Sequence, residues 1–355
     1  MSDSGMDREH GGNIYDFPSS ELLDFSSNIN PDGPPEFALA AAVDALRHVS
    51  IYPDARQTAV REAFSRWLGV PSDGFVFGNG ASELIRAVIA ALKPARILVT
   101  LPTFSEYESC ALSLGIPVKG VPSDAANGFA YNVERIGKIF SKGDLLVICQ
   151  PNNPTGVGWK EDELRELARI CSTSGGYILA DECFINLAHP PLPSCINMTD
   201  EGHVIVLRAL TKDFAAPGLR VGFIAAGEGI AHIVREQIPP WPLNCIGEAF
   251  AIACAKNPEP YLRNSAIKIA TLRDTLSSGI VTLGFSPNPS AANFLLVQSV
   301  DVSADDLHAL LLRRSILIRK CANFPPLDDS YFRVAVRSAE DNAALLSGLA
   351  SISSR

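Results

Sequence analysis

Residues 207–226 read "LRALTKDFAAPGLRVGFIAA". Two apolar runs frame this stretch, Val204 to Leu207 and Val221 to Ala225, and both have the make-up of strands covered on two faces. Between them stand Lys212 and, eight residues on, Arg220. Burial penalises the charged form of a lysine, and an uncharged lysine amine is a nucleophile toward carbonyl carbon. If Lys212 stood alone, an exposed loop lysine would be much the better explanation of the position. What decides is whether neighbouring strands carry matching chemistry to the same edge.

Upstream, apolar runs alternate with amphipathic ones. "FVFGNG" precedes "ASELIRAVIAAL", "RILVTLP" precedes "FSEYESCALSLG", and "DLLVICQP" precedes "KEDELRELARICSTSG"; "YILADE" and "HVIVLRAL" follow. Strands separated by 10- to 15-residue helical patterns predict βαβ units and a mainly parallel sheet, an α/β fold. Ligands in such sheets bind beyond the carboxyl ends of the strands. Each of these strands runs there into polar or Gly/Pro-rich sequence: Gly78 to Gly80, Pro102, Pro151 to Gly156, Asp181-Glu182 and Thr211-Lys212. After Pro242 the pattern changes to long helices followed by "NFLLVQS", "ILIRKC" and "YFRVAVRS", which predicts a smaller α+β unit. The expected division is an N-terminal arm and helix over 1–48 packing with the small domain, a large α/β domain over 49–245, and a small domain over 246–355.

Composition narrows the function. The 355 residues are 47% hydrophobic and 19% charged, with a net charge of −9, which argues against nucleic-acid or anionic-membrane partners. No apolar run reaches the roughly 18 residues that span a bilayer. The start "MSDSGMDREHGG" lacks the basic and apolar segments of a signal peptide. Eight cysteines are scattered without C-x-x-C spacing, which fits reduced thiols in a cytoplasmic protein and no structural metal.

Together the strand ends present an anion cradle at Ala81 and Ser82 on a helix start, a polar Asn153, a carboxylate at Asp181, the nucleophile Lys212 and the cation Arg220. Pyridoxal 5′-phosphate needs such a set: a lysine partner, an anion for its ring nitrogen, and phosphate ligands. In "GNGASE", "PTFSEY", "PNNPTG", "DECF" and "LTKDFAAPGLRVGF" the sequence resembles the fold-type I pyridoxal-phosphate enzymes, near the histidinol-phosphate aminotransferases. The resemblance implies that Lys212 binds the cofactor as a Schiff base, Asp181 pairs with the ring nitrogen and Asn153 meets the 3′-oxygen. It also implies that Phe104 stacks on the ring and that Gly80, Ala81, Ser82, Thr211 and Arg220 hold the phosphate. Tyr52 matches a tyrosine that reaches the neighbouring subunit's phosphate, which implies a homodimer. Two departures stand out: Phe184 replaces a tyrosine near the 3′-oxygen, and Ala209 replaces a Ser or Thr three residues before the lysine.

The chain ends carry a narrower likeness. "HGGNI", "LLDFSSNINPDG", "QIPPWPLN" and "RKCANFPPLDDSYFRVAVRS" are similar to the threonine-phosphate decarboxylases of cobalamin synthesis. The implied reaction is decarboxylation of O-phospho-L-threonine to (R)-1-amino-2-propanol O-2-phosphate, with His10, Gly11, Asn28, Asn153, Arg319, Arg333 and Arg337 as substrate contacts. Arg333 takes the α-carboxylate in that scheme. Independently, Arg333 and Arg337 are four apart and would share a face in a regular strand, so the C-terminal arginines suit a substrate with carboxylate and phosphate. Three alternatives stay open: O-phosphoserine as substrate, transamination of histidinol phosphate, and a non-catalytic cofactor-binding module.

Overall fold

The computed structural model describes residues 11–17 and 22–353. After a short strand β1 (Leu23–Asp24), seven strands build the central sheet: β2 (Phe75–Gly78), β3 (Arg96–Leu101), β4 (Val118–Pro122), β5 (Asp144–Cys149), β6 (Tyr177–Asp181), β7 (Val204–Ala209) and β8 (Gly222–Ala225). Their order is β2-β8-β7-β6-β5-β3-β4, and β8 alone runs against the other six. The apolar runs are explained by burial on both faces. Leu146 and Ile148 of β5 and Val204 and Val206 of β7 point into one core, while Leu145, Val147, Ile205 and Leu207 point into the other. The strand period of two makes this partition automatic.

Helices cover each face with stripes at helical spacing. Leu84, Ile85 and Val88 of helix Ala81–Leu92 join one core. Leu164, Leu167, Ala168 and Cys171 of helix Glu161–Ser174 join the other. Because six strands run the same way, the segments after β2, β3, β5, β6 and β7 emerge on one edge, where the residues with chemistry gather.

The smaller unit is a four-stranded sheet: β9 (Ser286–Pro287), β10 (Phe294–Gln298), β12 (Arg319–Lys320) and β13 (Tyr331–Ala335), in the order β12-β13-β10-β9. The preceding β11 (Ile316–Leu317) pairs with β1 in parallel, which draws the N-terminal arm onto this unit. Phe25, Leu276, Leu295, Phe332 and Leu345 form its core.

The packing differs from the expected division at two places. Helix Glu36–Ala45 lies on helix Cys245–Lys256, and Ala38, Ala42, Phe250, Ala251 and Cys254 all enter a core of the large sheet. So β1 and the residues just after it join the smaller unit while helix Glu36–Ala45 does not, and the helix after Asn244 belongs with the larger one. Periodicity shows that a helix has an apolar face; it does not say which core receives it. Among the described residues no helix is long and apolar enough to cross a membrane.

Candidate active site

A cavity of about 300 Å³ lies where the sheet edge, the arm and the smaller unit meet. Its lining brings together Gly11, Asn28, Ala81, Ser82, Phe104, Asn153, Asp181, Thr211, Lys212, Arg220, Arg319 and Arg333 from among the expected residues.

Lys212 sits on the single turn Leu210–Asp213 that follows β7. Backbone bonds hold that turn from two directions: Leu210 N–H donates to Val221 O at 3.1 Å, and Asn30 N–H donates to Lys212 O at 3.1 Å. Burial, followed by repulsion from Arg333, lowers the Lys212 ammonium to about 8. The next residue, Asp213, is raised to about 6 by burial and is held by Asn186 Nδ2 at 2.7 Å.

The cradle depends on Gly80. Its φ of +82° lies in the left-handed region, and a Cβ there would stand 2.5 Å from Arg220 Nη2. Only a glycine lets the guanidinium close on the start of helix Ala81–Leu92, whose free N–H groups favour an anion. Gly80 therefore shapes the cavity without lining it. Gly11 is equally constrained, since a Cβ would meet Ser26 O at 2.1 Å; the neighbouring Gly12 N–H donates to Ser26 Oγ at 2.8 Å.

Asp181 ends β6 and is buried. Burial raises its pKa, while donors oppose the shift: Tyr107 Oη–H to Oδ2 at 2.6 Å and Cys183 N–H to Oδ1 at 3.0 Å. Arg333 is 5% exposed; its two Nη atoms donate to Asn153 Oδ1 and, at 2.7 Å, to Ser26 O. Its Nε has no partner among the described protein atoms, nor does Asn28 Oδ1. Burial brings Arg333 down to about 10. Arg319, also 5% exposed, donates to Asn323 Oδ1 at 2.9 Å and lies 5.1 Å from the Phe324 ring centre. Phe184 lines the cavity with its ring centre 5.9 Å from Lys212 Nζ, and Ala209 lines it too.

Two expected residues lie elsewhere, and a third is not described. Arg337 falls outside the lining: Nε donates to Asp341 Oδ2 at 2.9 Å, Nη1 to Asp24 O at 3.1 Å, and the guanidinium covers Phe25. The shared-face argument fails because β13 stops at Ala335, so alternation no longer relates Arg337 to Arg333. Tyr52 is 78% exposed in a second, surface cavity that also touches Arg220. His10 lies outside the described residues. Conversely, Tyr107, Phe324 and Ser26 line the cavity without having been singled out. Tyr107 stands three residues after Phe104, on the first turn of helix Glu106–Ser113.

The cavity thus offers a cradle for one phosphate, a lysine whose ammonium is lowered to about 8, a buried carboxylate and two buried guanidinium groups. These fit pyridoxal 5′-phosphate together with an anionic amino acid.

Comparison with known proteins agrees. The family described as aminotransferase class I and II matches residues 20–349. A threonine-phosphate decarboxylase of Salmonella typhimurium is 34% identical, over 97% of this chain and 96% of that protein. An adenosylcobalamin biosynthesis bifunctional protein, CobDQ, of Leptospira interrogans is 29% identical, over 97% of this chain and 41% of that protein. The crystal structure of the histidinol-phosphate aminotransferase from Clostridium acetobutylicum superposes with a TM-score of 0.88 at 30% identity, covering 94% of this chain and 99% of that one.

Proposed function

Because this chain belongs to the aminotransferase class I and II family, we propose that its cavity holds pyridoxal 5′-phosphate and decarboxylates O-phospho-L-threonine to (R)-1-amino-2-propanol O-2-phosphate and carbon dioxide. This product is the linker of the cobalamin nucleotide loop. Near-full-length identity to the Salmonella decarboxylase supports the reading. The observation that carries it is the pairing of Arg319 and Arg333, both buried, beside Lys212 in one cavity. Two desolvated guanidinium groups suit one substrate with a carboxylate and a phosphate.

Bound pyridoxal phosphate supplies an electron sink for the pair released when a bond to the substrate's Cα breaks. The protein's own groups do the rest. Ala81, Ser82, Thr211 and Arg220 would hold the cofactor's phosphate, Phe104 would pack against its ring, and Asp181 would pair with its ring nitrogen. Asn153 meets the ring's 3′-oxygen. Arg333, lining the cavity, would take the carboxylate, while Arg319 would hold the substrate's phosphate with Gly11, Asn28 and His10. Fixing both ends sets which Cα bond stands perpendicular to the ring, and orientation selects the bond that breaks. Lys212 Nζ, lowered to about 8 by burial, would deliver to Cα the proton that replaces carbon dioxide.

Tyr52 serves the phosphate of a second copy, so the working unit is a homodimer. Support comes from the exposed apolar side chains Val49, Ile51 and Trp241, which line one surface cavity with Tyr52. The eight unpaired cysteines support a cytoplasmic location.

The test is incubation with O-phosphothreonine, O-phosphoserine, or histidinol phosphate plus 2-oxoglutarate, measuring carbon dioxide, amine phosphate and glutamate. Stoichiometric carbon dioxide and aminopropanol phosphate, without any 2-oxo acid, is the expected result. Brisk glutamate formation with no carbon dioxide would replace the decarboxylase by an aminotransferase.

A further inference from the structure

Asp181 must be an anion in a place that opposes one. It is 5% exposed, and Lys212, which lines the same cavity, has its ammonium lowered to about 8 by burial. Of its two donors, Cys183 N–H comes from the same turn, but Tyr107 comes from the helix Glu106–Ser113, 74 residues earlier in the chain. The Tyr107 side chain is 0% exposed, and its hydroxyl lies between Asp181 and Cys149 at the ends of β6 and β5. A ring needed only for packing would be better served by phenylalanine, since a buried hydroxyl is costly unless it is hydrogen-bonded. With Oδ2 held by Tyr107 and Oδ1 by Cys183, rotation of the carboxylate is restrained. The same ring meets Phe104 edge-on at 5.6 Å, so one side chain supports both groups expected to touch the cofactor ring.

We propose that Tyr107 is a positioning residue that keeps Asp181 ionised and aimed at the ring nitrogen of the pyridoxal cofactor, and thereby sets how strongly that ring draws electrons. The proposal rests on the reading of this cavity as a pyridoxal-phosphate site, not on the choice of reaction. A hydrogen bond from Tyr107 stabilises the carboxylate over the carboxylic acid; without it, the proton shared with the ring nitrogen shifts toward Asp181. The ring then loses positive charge, and the nitrogen joining it to Lys212 becomes more basic.

The experiment compares wild type, Tyr107→Phe, Asp181→Asn and the double variant, saturated with cofactor for the spectra and kinetics and titrated with it for the affinity. Three quantities are read: the pH midpoint of the cofactor's visible absorption change, its dissociation constant, and kcat and KM for O-phosphothreonine. In Tyr107→Phe the midpoint should rise by about one pH unit and cofactor affinity should fall about tenfold, the scale of one hydrogen bond to a charged group. kcat should fall while KM stays nearly constant. In the Asp181→Asn background, Tyr107→Phe should produce no further spectral shift. An unchanged midpoint and affinity, with only a lower melting temperature, would reduce Tyr107 to packing. A shift of equal size in both backgrounds would show that it does not act through Asp181. Failure of the decarboxylase reading is visible separately, as wild-type protein that binds the cofactor and releases no carbon dioxide.

Discussion

Lys212 and the cavity arginines show how far single residues can be read. With its ammonium lowered to about 8 by burial, the lysine of the cofactor-free protein is neutral above that pH and charged below it. Only the neutral amine attacks a carbonyl, so the rate of cofactor attachment should climb with pH and level off near 8, two and a half units below an ordinary lysine at 10.5. Stopped-flow absorbance across a pH series measures this; a rate still rising at pH 10 would contradict it. Borohydride reduction followed by peptide mapping should place the label on Lys212. Arg333→Ala and Arg319→Ala should each lower kcat/KM by two or more decades, because losing a charged partner in a desolvated site costs ~2–5 kcal/mol. Arg337→Ala serves as the internal control. Its guanidinium is used by Asp341 and by Asp24 O, so thermal stability should drop while kcat/KM barely changes.

At the scale of elements, the ends of β6 and β7 are tied beneath the cavity by a buried ion pair. Arg208 Nη2 lies 2.8 Å from Glu182 Oε2, with the two side chains 6% and 0% exposed. Glu182 also accepts from Ser194 Oγ at 2.7 Å and Cys195 N at 2.6 Å, so it anchors the segment that follows β6. Removing one partner leaves a buried charge uncompensated. Glu182→Ala should therefore cost ~3–5 kcal/mol of stability, measurable by denaturant unfolding. A loss below 1 kcal/mol would mean that water reaches Arg208. The turn before helix Ala81–Leu92 is constrained differently, since Gly80 faces both backbone strain and the Arg220 guanidinium. Gly80→Ala should weaken cofactor binding, read by equilibrium ultrafiltration, and should also lower the melting temperature, because alanine is strained at that backbone conformation.

At the scale of the molecule, the exposed apolar surface around Tyr52 and Trp241 predicts an isologous dimer. Ile51→Asp, at a side chain 64% exposed in one copy, should yield monomers by sedimentation together with loss of activity. Monomers with full activity would remove Tyr52 from the site. Mixing inactive Lys212→Ala with inactive Tyr52→Ala should restore part of the activity, because a heterodimer carries one intact site.

How much of this was legible beforehand follows from the physics of each element. Lys212, Asp181 and Asn153 could be read directly, because each follows a near-continuous apolar strand, and parallel strands deliver their ends to one edge whatever the side chains in between. Gly80 and Arg220 could be read for a similar reason, as part of the turns flanking such strands. Three things required tertiary structure. Where β13 stops decided that Arg333 enters the cavity and Arg337 does not; alternation holds only while the ladder lasts. Which core receives the helices Glu36–Ala45 and Cys245–Lys256 depended on shape complementarity between faces, and periodicity carries no information about the partner. The bond from Tyr107 to Asp181 joins residues 74 apart, brought within 2.6 Å only because β3 and β6 flank β5 in one sheet. The sequence by itself determined which chemical groups reach the edge of the sheet; only the folded arrangement decided which of them face one another, because that depends on strand order and on where each ladder ends.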